Sequence, residues 1–323
     1  MIKHTPEYEL GYSTELSKQQ KTEFRNLFFE KSFLKGLAAT SVYITSIYLT
    51  LIYLAKLSVT DTNSILVLTF WLIGLVFVVR QMRALENIVH FGSHSNFCRN
   101  RPLNDLMTNC LAAWPMLQDV AQYRKFHSLH HGDYGSHDDP CRARFEAMGV
   151  NCGDLNNSRK LIIAIFRWMP LYVREFYREV KTSHRQLAIF TIWHGLVSIT
   201  IYLTWDWQTA AVVLLSWLIC MFVVLPFLRS IAEFSEHDYE RANNVKDTTF
   251  NNLGLMDHLL LHPAGDAWHA LHHLYPVIPW WKQGAAHRYL MKHDGAYRSA
   301  LHRNQVFQHL IEMPVTHDRS ILS

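Results

Sequence analysis

The chain has 323 residues, room for one large domain or two small ones. Hydrophobic residues make up 49% and charged residues only 18%, against about 25% charged in soluble domains. A net charge of +4 with no run or stripe of Lys and Arg excludes a nucleic-acid partner, and five cysteines without a CxxC exclude a disulfide framework and a thiolate zinc site.

In chain order, residues 1–35 are a polar N-terminal segment in which Lys18, Lys21, Lys31 and Lys35 are spread among acids and glutamines. No apolar stretch follows a short basic start, so no cleavable signal is expected. Cys98, Cys110, Cys141, Cys152 and Cys220 are expected to be inert thiols in a reducing compartment. Four apolar segments follow: Leu37–Leu57, Ile65–Val79, Leu187–Leu203 and Ala210–Leu228. A helix needs about 20 apolar residues to cross the hydrocarbon core, which the first and fourth supply alone and the others supply with their flanks. Short links at Ser58–Ser64 and Asp206–Ala210 predict two antiparallel hairpins. Of 31 basic residues, 30 lie in the N-terminal segment, between the hairpins or in the last third; Lys56 is the exception. The positive-inside rule then places the termini and all three basic regions in the cytoplasm, with Trp205 and Trp207 as anchors at the opposite interface. The stretches Leu103–Val120 and Leu161–Val173 contain charges or Pro170 and are expected to be interfacial or cytoplasmic helices. Residues 36–300 form the membrane domain in this reading, and 301–323 a C-terminal tail.

Histidine, 20 residues in all, is the outlier. It gathers in an HxxxH at His90 and His94, an HxxHH at His127, His130 and His131, and a second HxxHH at His269, His272 and His273. On a helix, residues three and four apart share a face, so each box is expected to act as a two- or three-pronged chelator. Neutral imidazole is the commonest biological metal ligand. Eight box imidazoles, with His237 as a ninth, exceed the roughly four to six ligands of one first-row metal and imply two metals. Imidazole suits iron, zinc, copper and nickel alike. HxxxH lacks the Glu of HExxH, which disfavours a zinc metalloprotease. His90 and His237 lie just past the second and fourth apolar segments, so all boxes fall on one side of the membrane.

With these residues in hand, the chain resembles the membrane fatty acid desaturase superfamily. His90–Asp105 (HFGSHSNFCRNRPLND), Tyr123–His127 continuing to Asp138-Asp139-Pro140, and Trp268–Pro279 (WHALHHLYPVIP) are similar to the family's three box regions. The resemblance covers about Leu37 to His293. It implies an all-α integral-membrane fold, with four spanning helices in two hairpins and a cytoplasmic helical cap holding a di-iron site of two Fe2+ ions. It also implies O2 activation, and removal of hydrogen from an unactivated carbon of a fatty acyl or lipid-like substrate. An external donor of ferredoxin, rubredoxin or cytochrome type, with its reductase, would supply electrons. One position departs: Arg229-Ser230-Ile231-Ala232-Glu233 resembles an Arg-x-x-x-Glu-His element, but Phe234 stands where the family has histidine. His237, three residues on, is expected to take that ligand role.

Acids near the boxes are Glu233, Glu236, Asp138 and Asp139, which would balance a cationic cluster, and Asp266. Asp266 would either orient a ligand imidazole or metal-bound water, or cap the helix of the third box. Trp280 and Trp281 would line a substrate mouth or, preferably, anchor the cap at the interface. His194, inside a span, is expected to make a local hydrogen bond. Two other functions stay open. One is a hydroxylase or ketolase of the same superfamily acting on a lipid, a carotenoid or a small amino-acid-like metabolite. The other is a membrane metal transporter, whose ligands would lie nearer the bilayer midplane.

Overall fold

The protein is described here from a computed structural model covering residues 10–60, 63–148, 158–179, 183–239 and 243–303. Cys152, part of the Ser58–Ser64 link and residues 304–323 of the expected tail lie outside those described residues.

Helix α1 (Lys18–Phe28) starts at a capping box, in which Ser17 accepts from the Gln20 backbone N–H and the Gln20 side chain accepts from Ser17 N–H. Two long apolar helices follow, α2 (Phe33–Thr60) and α3 (Ser64–Ser93), which pack on each other. Gly74 permits this approach, since a Cβ there would meet Leu54 Cδ1 at 2.7 Å. Short helices α4 (Arg101–Thr108), α5 (Val120–Gly132) and α6 (Pro140–Ala147) come next, then α7 (Ser158–Glu179), which carries Pro170 inside it. The third long apolar helix is α8 (His184–Thr204). The fourth is α9 (Trp207–Ile219), which runs through a π turn at Cys220–Val224 into α10 (Leu225–Phe234). Pro226 lacks the N–H that a regular α turn would use, so a wider turn just upstream relieves the helix.

Four helical stretches are long and apolar enough to cross a membrane: Phe33–Val59, Ser64–Ser93, His184–Thr204 and Trp207–Phe234. Only 17–39% of the residues in their apolar windows are buried within the protein. Leu72, Ile73, Leu196, Leu203 and Leu215 point outward, an arrangement that suits lipid and is costly in water. Leu103–Val120 and Leu161–Val173 are not among the four. Trp205 and Trp207 are exposed at the turn between α8 and α9. Lys56, the isolated basic residue, forms an ion pair with Asp206 and so ties the far end of α2 to that turn. His194 is buried and donates from Nε2 across 79 residues to the Pro115 carbonyl oxygen at 3.2 Å, so its bond is tertiary rather than local.

One core runs between the long helices through Ile47, Leu51, Val78, Met82, Leu85, Ile88, Trp217 and Leu225. Trp280 joins this core, 4% exposed and packed edge-on to Phe97, which corrects its expected place at an interface or a substrate mouth. A second core holds Leu16, Phe24 and Phe28 against Leu271, Ile278, Leu290 and Tyr297. Leu271, Leu290 and Tyr297 come from α11 (His269–Leu274), α12 (Gln283–His293) and α13 (Gly295–Arg298), and Ile278 from the link between the first two.

The expectation of a wholly α fold needs one correction. Strands β1 (Phe250–Asn252) and β2 (Leu301–Arg303) pair in parallel, Phe250 opposite Leu301. The pair has a local reason. Asn251, at its centre, accepts the Leu271 N–H at the start of α11, and Arg303 donates to the Ser235 carbonyl. The strands therefore brace two segments that carry histidines.

Gly74→Leu should force α2 and α3 apart, costing about 1–3 kcal/mol, an overpacking penalty. Thermal unfolding in detergent should show a midpoint lowered by several degrees. An unchanged midpoint would mean that these helices do not meet at Gly74.

Candidate metal centre

Helix α3 continues past its apolar block as a buried polar face: Arg83, Glu86, Asn87 and His90. Asn87 donates to the Pro263 carbonyl at 2.8 Å, so α3 holds the segment that leads to the third box. That segment turns through left-handed residues Ala264 and Gly265. A Cβ on Gly265 would lie 2.5 Å from the Trp280 carbonyl oxygen, so glycine is required there on two counts. The first and second boxes are clamped by Arg124 of α5, which donates to Ser93 O at 2.6 Å and to Asp105 Oδ2 at 2.9 Å. Asp119 caps α5 by accepting from Ala121 N–H and Gln122 N–H.

These elements bring nine imidazoles together in two groups. His90, His94, His127, His131 and His272 form one; His130, His237, His269 and His273 form the other. Within each group one nitrogen from every ring lies within 4.8 Å of the rest. Two donors on opposite sides of a metal at about 2.0–2.1 Å would be about 4.2 Å apart, so the spacing suits a single ion in each group. The groups adjoin: the His131 and His273 rings stack with centroids 4.3 Å apart.

The second and third boxes therefore do not act as separate chelators, as their spacing alone suggested. Each divides itself. His127 and His131, four apart, enter the first group while His130 enters the second. His269 and His273, four apart, enter the second group while His272 crosses to the first. His237 lies in the second group, 4% exposed, with Nε2 3.0 Å from His269 Nε2. A β-bridge to Thr249 fixes its backbone. Phe234 instead turns into an apolar cluster with Phe145 and Tyr172. With the helix ending at Phe234, the next residue able to reach the group comes from the turn beyond it.

Nitrogen faces nitrogen across the first group: His90 Nε2 is 2.8 Å and His131 Nε2 3.2 Å from His272 Nε2. Nε2 of His94, His127 and His273 is buried without a hydrogen-bond partner. Buried polar atoms are normally satisfied, and a bound cation is what a set of converging, unpartnered imidazole nitrogens lacks. The residues fit a metal pair.

Protonation agrees. Burial, then the neighbouring imidazoles, holds His127, His131, His237, His272 and His273 well below the usual histidine value. His94 is lowered by burial to about 3. These rings are neutral at physiological pH, the ligand form. His130 differs. Burial opposes its charge, but Cys141 and Asp139 push it upward. Cys141 is itself raised by burial and is a thiol at neutral pH, so the Asp139 carboxylate carries the effect.

The carboxylates explain ring orientation. Asp139 is fully buried, 2.9 Å from His130 Nδ1, and accepts from Gly135 N–H and Cys141 N–H. It leaves Nε2 of His130 for the second group. Asp266 reaches both groups: Oδ1 is 3.3 Å from His90 Nδ1 and 3.7 Å from His269 Nδ1. Its Oδ2 accepts from Arg83 at 3.0 Å and lies 3.4 Å from His262 Nδ1. Burial opposes ionisation of Asp266, but His262, His269, His90 and Arg83 hold its carboxyl well below the usual range. Asp266 is no helix cap: the N-cap of α11 is Trp268, with no side-chain cap bond. Glu236 Oε2 is 3.6 Å from His269 Nε2, and its Oε1 pairs with Arg83 at 3.3 Å. Glu233 turns elsewhere, accepting from Tyr172 at 2.8 Å and pairing with Arg144 at 3.3 Å. Asp138 is exposed, away from the imidazoles, because Asp139 takes the inward position of the turn.

Sequence reasoning missed three supports. Arg83 binds Asp266 and Glu236. Tyr134, 1% exposed, contacts His237 Nδ1 through its hydroxyl at 2.9 Å. His262 sits between Asp266 and Glu236, 3.4 and 3.5 Å away. Burial works against its cation, yet the two acids push it up to about 9. Arg83 at the end of an apolar block was a readable signal; His262, outside any box, was not. A cavity of ≈ 60 Å³ opens onto both groups and touches His90, His127, His130, His237 and His269.

Comparison with known proteins agrees with this geometry. The family model described as fatty acid desaturase matches residues 65–305, which include every histidine of both groups. A curated relative, dihydrorhizobitoxine desaturase of Bradyrhizobium elkanii, is 25% identical over 261 residues, 72% of each chain.

Two outcomes are expected. Asp266→Asn should weaken binding of added ferrous iron by roughly 10–100-fold, as loss of a carboxylate behind a ligand histidine does, while Asp138→Asn leaves it unchanged. Equal effects would remove Asp266 from the site. The metal-free protein should be most stable near neutral pH. The lowered histidines contribute stability that is present above about 6.5 and is lost as pH falls toward their depressed values, about 3 for His94. His262 contributes stability that is present below about 6.5 and lost as pH rises through about 9. With several groups on the acid side and two, His262 and the Asp139-paired His130, on the alkaline side, thermal midpoints should fall more steeply toward acid. A flat profile from acid to alkaline pH would contradict this.

Proposed function

Because the chain belongs to the fatty acid desaturase family, we propose that it is a membrane-bound oxidoreductase that holds two irons and uses O2 to desaturate a substrate. The observation that carries this reading is the pair of adjoining groups built from nine buried or half-buried imidazoles. The relative's name gives its substrate as dihydrorhizobitoxine and its activity as desaturation. Membership of the family therefore leaves the substrate to be read from the site.

In the proposed reaction a –CH2–CH2– unit becomes –CH=CH–. O2 takes two hydrogens with their electrons from the substrate, and two electrons with two protons from the donor side, and leaves as two waters. The irons, when bound, supply the oxidising power toward the C–H bond. The chain's own residues do the rest. Burial keeps the imidazoles neutral and able to ligate. Asp139 and Asp266 engage Nδ1 of His130, His90 and His269, so that Nε2 faces the centre. Tyr134 does the same for His237. Phe126, Phe145 and Phe176 line the cavity beside the groups and limit bulk water there. The electron donor is a ferredoxin, rubredoxin or cytochrome type with its reductase. The cap and termini face the cytoplasm, where the basic flanks of the spans favour an acidic donor.

Hydroxylation uses the same groups and differs only in whether oxygen remains on the carbon. The transporter alternative is less well supported, since most of the histidines come from segments outside the four spans.

Purified wild-type protein should carry about two irons per chain. With a reduced ferredoxin and O2 it should return a product lacking two hydrogens. His130→Ala should lose iron and all turnover. An active preparation that holds zinc and no iron would sink the redox assignment. An oxygenated product would favour the hydroxylase.

A further inference from the structure

Whatever carbon is oxidised must reach the cavity that touches both histidine groups, and the walls of that cavity are charged. Beyond the imidazoles it is lined by Arg144, Arg229, Glu86, Glu233 and Gln118. Arg229 is 2% exposed, its Nη2 lies 3.1 Å from Glu86 Oε1, and its guanidinium covers the Phe176 ring at 3.5 Å. Arg144 pairs with Glu233. Two polar atoms on these walls are buried with no hydrogen-bond partner: Nη1 of Arg229, a donor, and Oε1 of Gln118, an acceptor on a residue 2% exposed.

An acyl chain could pack on Phe126, Phe145 and Phe176 but has nothing to offer the polar atoms. Its methylenes would displace water and leave a guanidinium N–H and an amide oxygen dry, each costing about 1–3 kcal/mol or more where charge is involved. The cavity walls carry both signs, Arg144 and Arg229 beside Glu86 and Glu233. A ligand with one anionic and one cationic end suits such walls better than a simple anion or cation.

We propose that the substrate is a small water-soluble zwitterion of α-amino-acid type, its carboxylate on Arg229 and its ammonium toward Gln118 and Glu233, which leaves a methylene pair against the histidines. This rests on the site being the C–H oxidation centre proposed above. The balance is the same: two hydrogens leave the methylene pair, and O2, with two electrons from the reduced donor and two protons, leaves as two waters. The substrate then enters from the aqueous side, and the membrane spans serve to carry the cap.

The test uses the purified, iron-loaded protein in detergent, with iron content measured first on each sample. Calorimetric titration compares linear α-amino acids of about four to eight carbons, L-norleucine among them, with hexanoate, n-hexylamine and palmitoyl thioester. At least one amino acid should bind saturably, tenfold or more tighter than hexanoate or hexylamine, while palmitoyl thioester gives no saturable heat. Gln118→Leu should weaken the amino acid roughly three- to tenfold, the worth of one hydrogen bond, with iron content unchanged. Arg229→Gln should abolish the preference for zwitterion over amine. Tighter binding of palmitoyl thioester than of every amino acid, or no amino acid bound at all, overturns the proposal. A protein that binds amino acids but never takes up iron leaves the ligand class standing and sinks the oxidation centre instead.

Discussion

Everything at the candidate metal centre depends on the way a helix distributes histidines around two neighbouring points. Residues four apart on an α-helix stack on one face, and the residue three along is offset by a fraction of a turn. In both HxxHH boxes the pair four apart serves one group and the intermediate histidine serves the other. Each box thus reaches across to its counterpart's group. The first group is complete only when α5 and α11 both stand beside α3, and the second only when they also meet the turn that carries His237, so the geometry of the groups and the tertiary fold are one constraint.

That constraint sets a problem in charge. Two cations held amid neutral imidazoles would need anions close by, yet buried carboxylates are costly without partners. The answer is a chain of shared contacts. Asp266 touches one histidine of each group, Glu236 approaches the second group, and Arg83 and His262 hold both acids on their far sides. Asp139 does the same for His130 with two backbone N–H donors. The long helix α3 supplies Arg83, Glu86, Asn87 and His90 from consecutive turns, which is why a membrane-crossing helix extends about three turns past its apolar block.

The parts of this arrangement that obey local periodicity were legible in the sequence. Four apolar runs marked the four long helices, although α3 continues to Ser93, well past Val79, and the box spacing marked eight of the nine histidines that meet. His237 was reached from its position past the fourth apolar run and from the histidine missing at Phe234; its place depends on the turn after α10 and a bridge to Thr249, neither of which leaves a periodic signal. The division of each box between groups, the parallel pairing of β1 with β2, and the inward turn of Asp139 rather than Asp138 depend on which distant segments dock. Trp280 read as an interfacial anchor because tryptophan favours interfaces, yet Phe97 and the core around it claimed the ring. Glu233 read as a metal-side acid, and Arg144, distant in sequence, drew it away.

Those distant choices also separate what the family settles from what this chain adds. Boxes and spans follow the family, while the charged cavity beside them is built by side chains from α3, α5, α6, α7 and α10. The most direct measurement of the central claim is a Mössbauer spectrum of the reduced, iron-loaded protein. Two adjoining groups of unequal histidine number predict two ferrous signals of equal area and different splitting. A single signal, from one iron per chain, would contradict a pair of centres shared between the boxes.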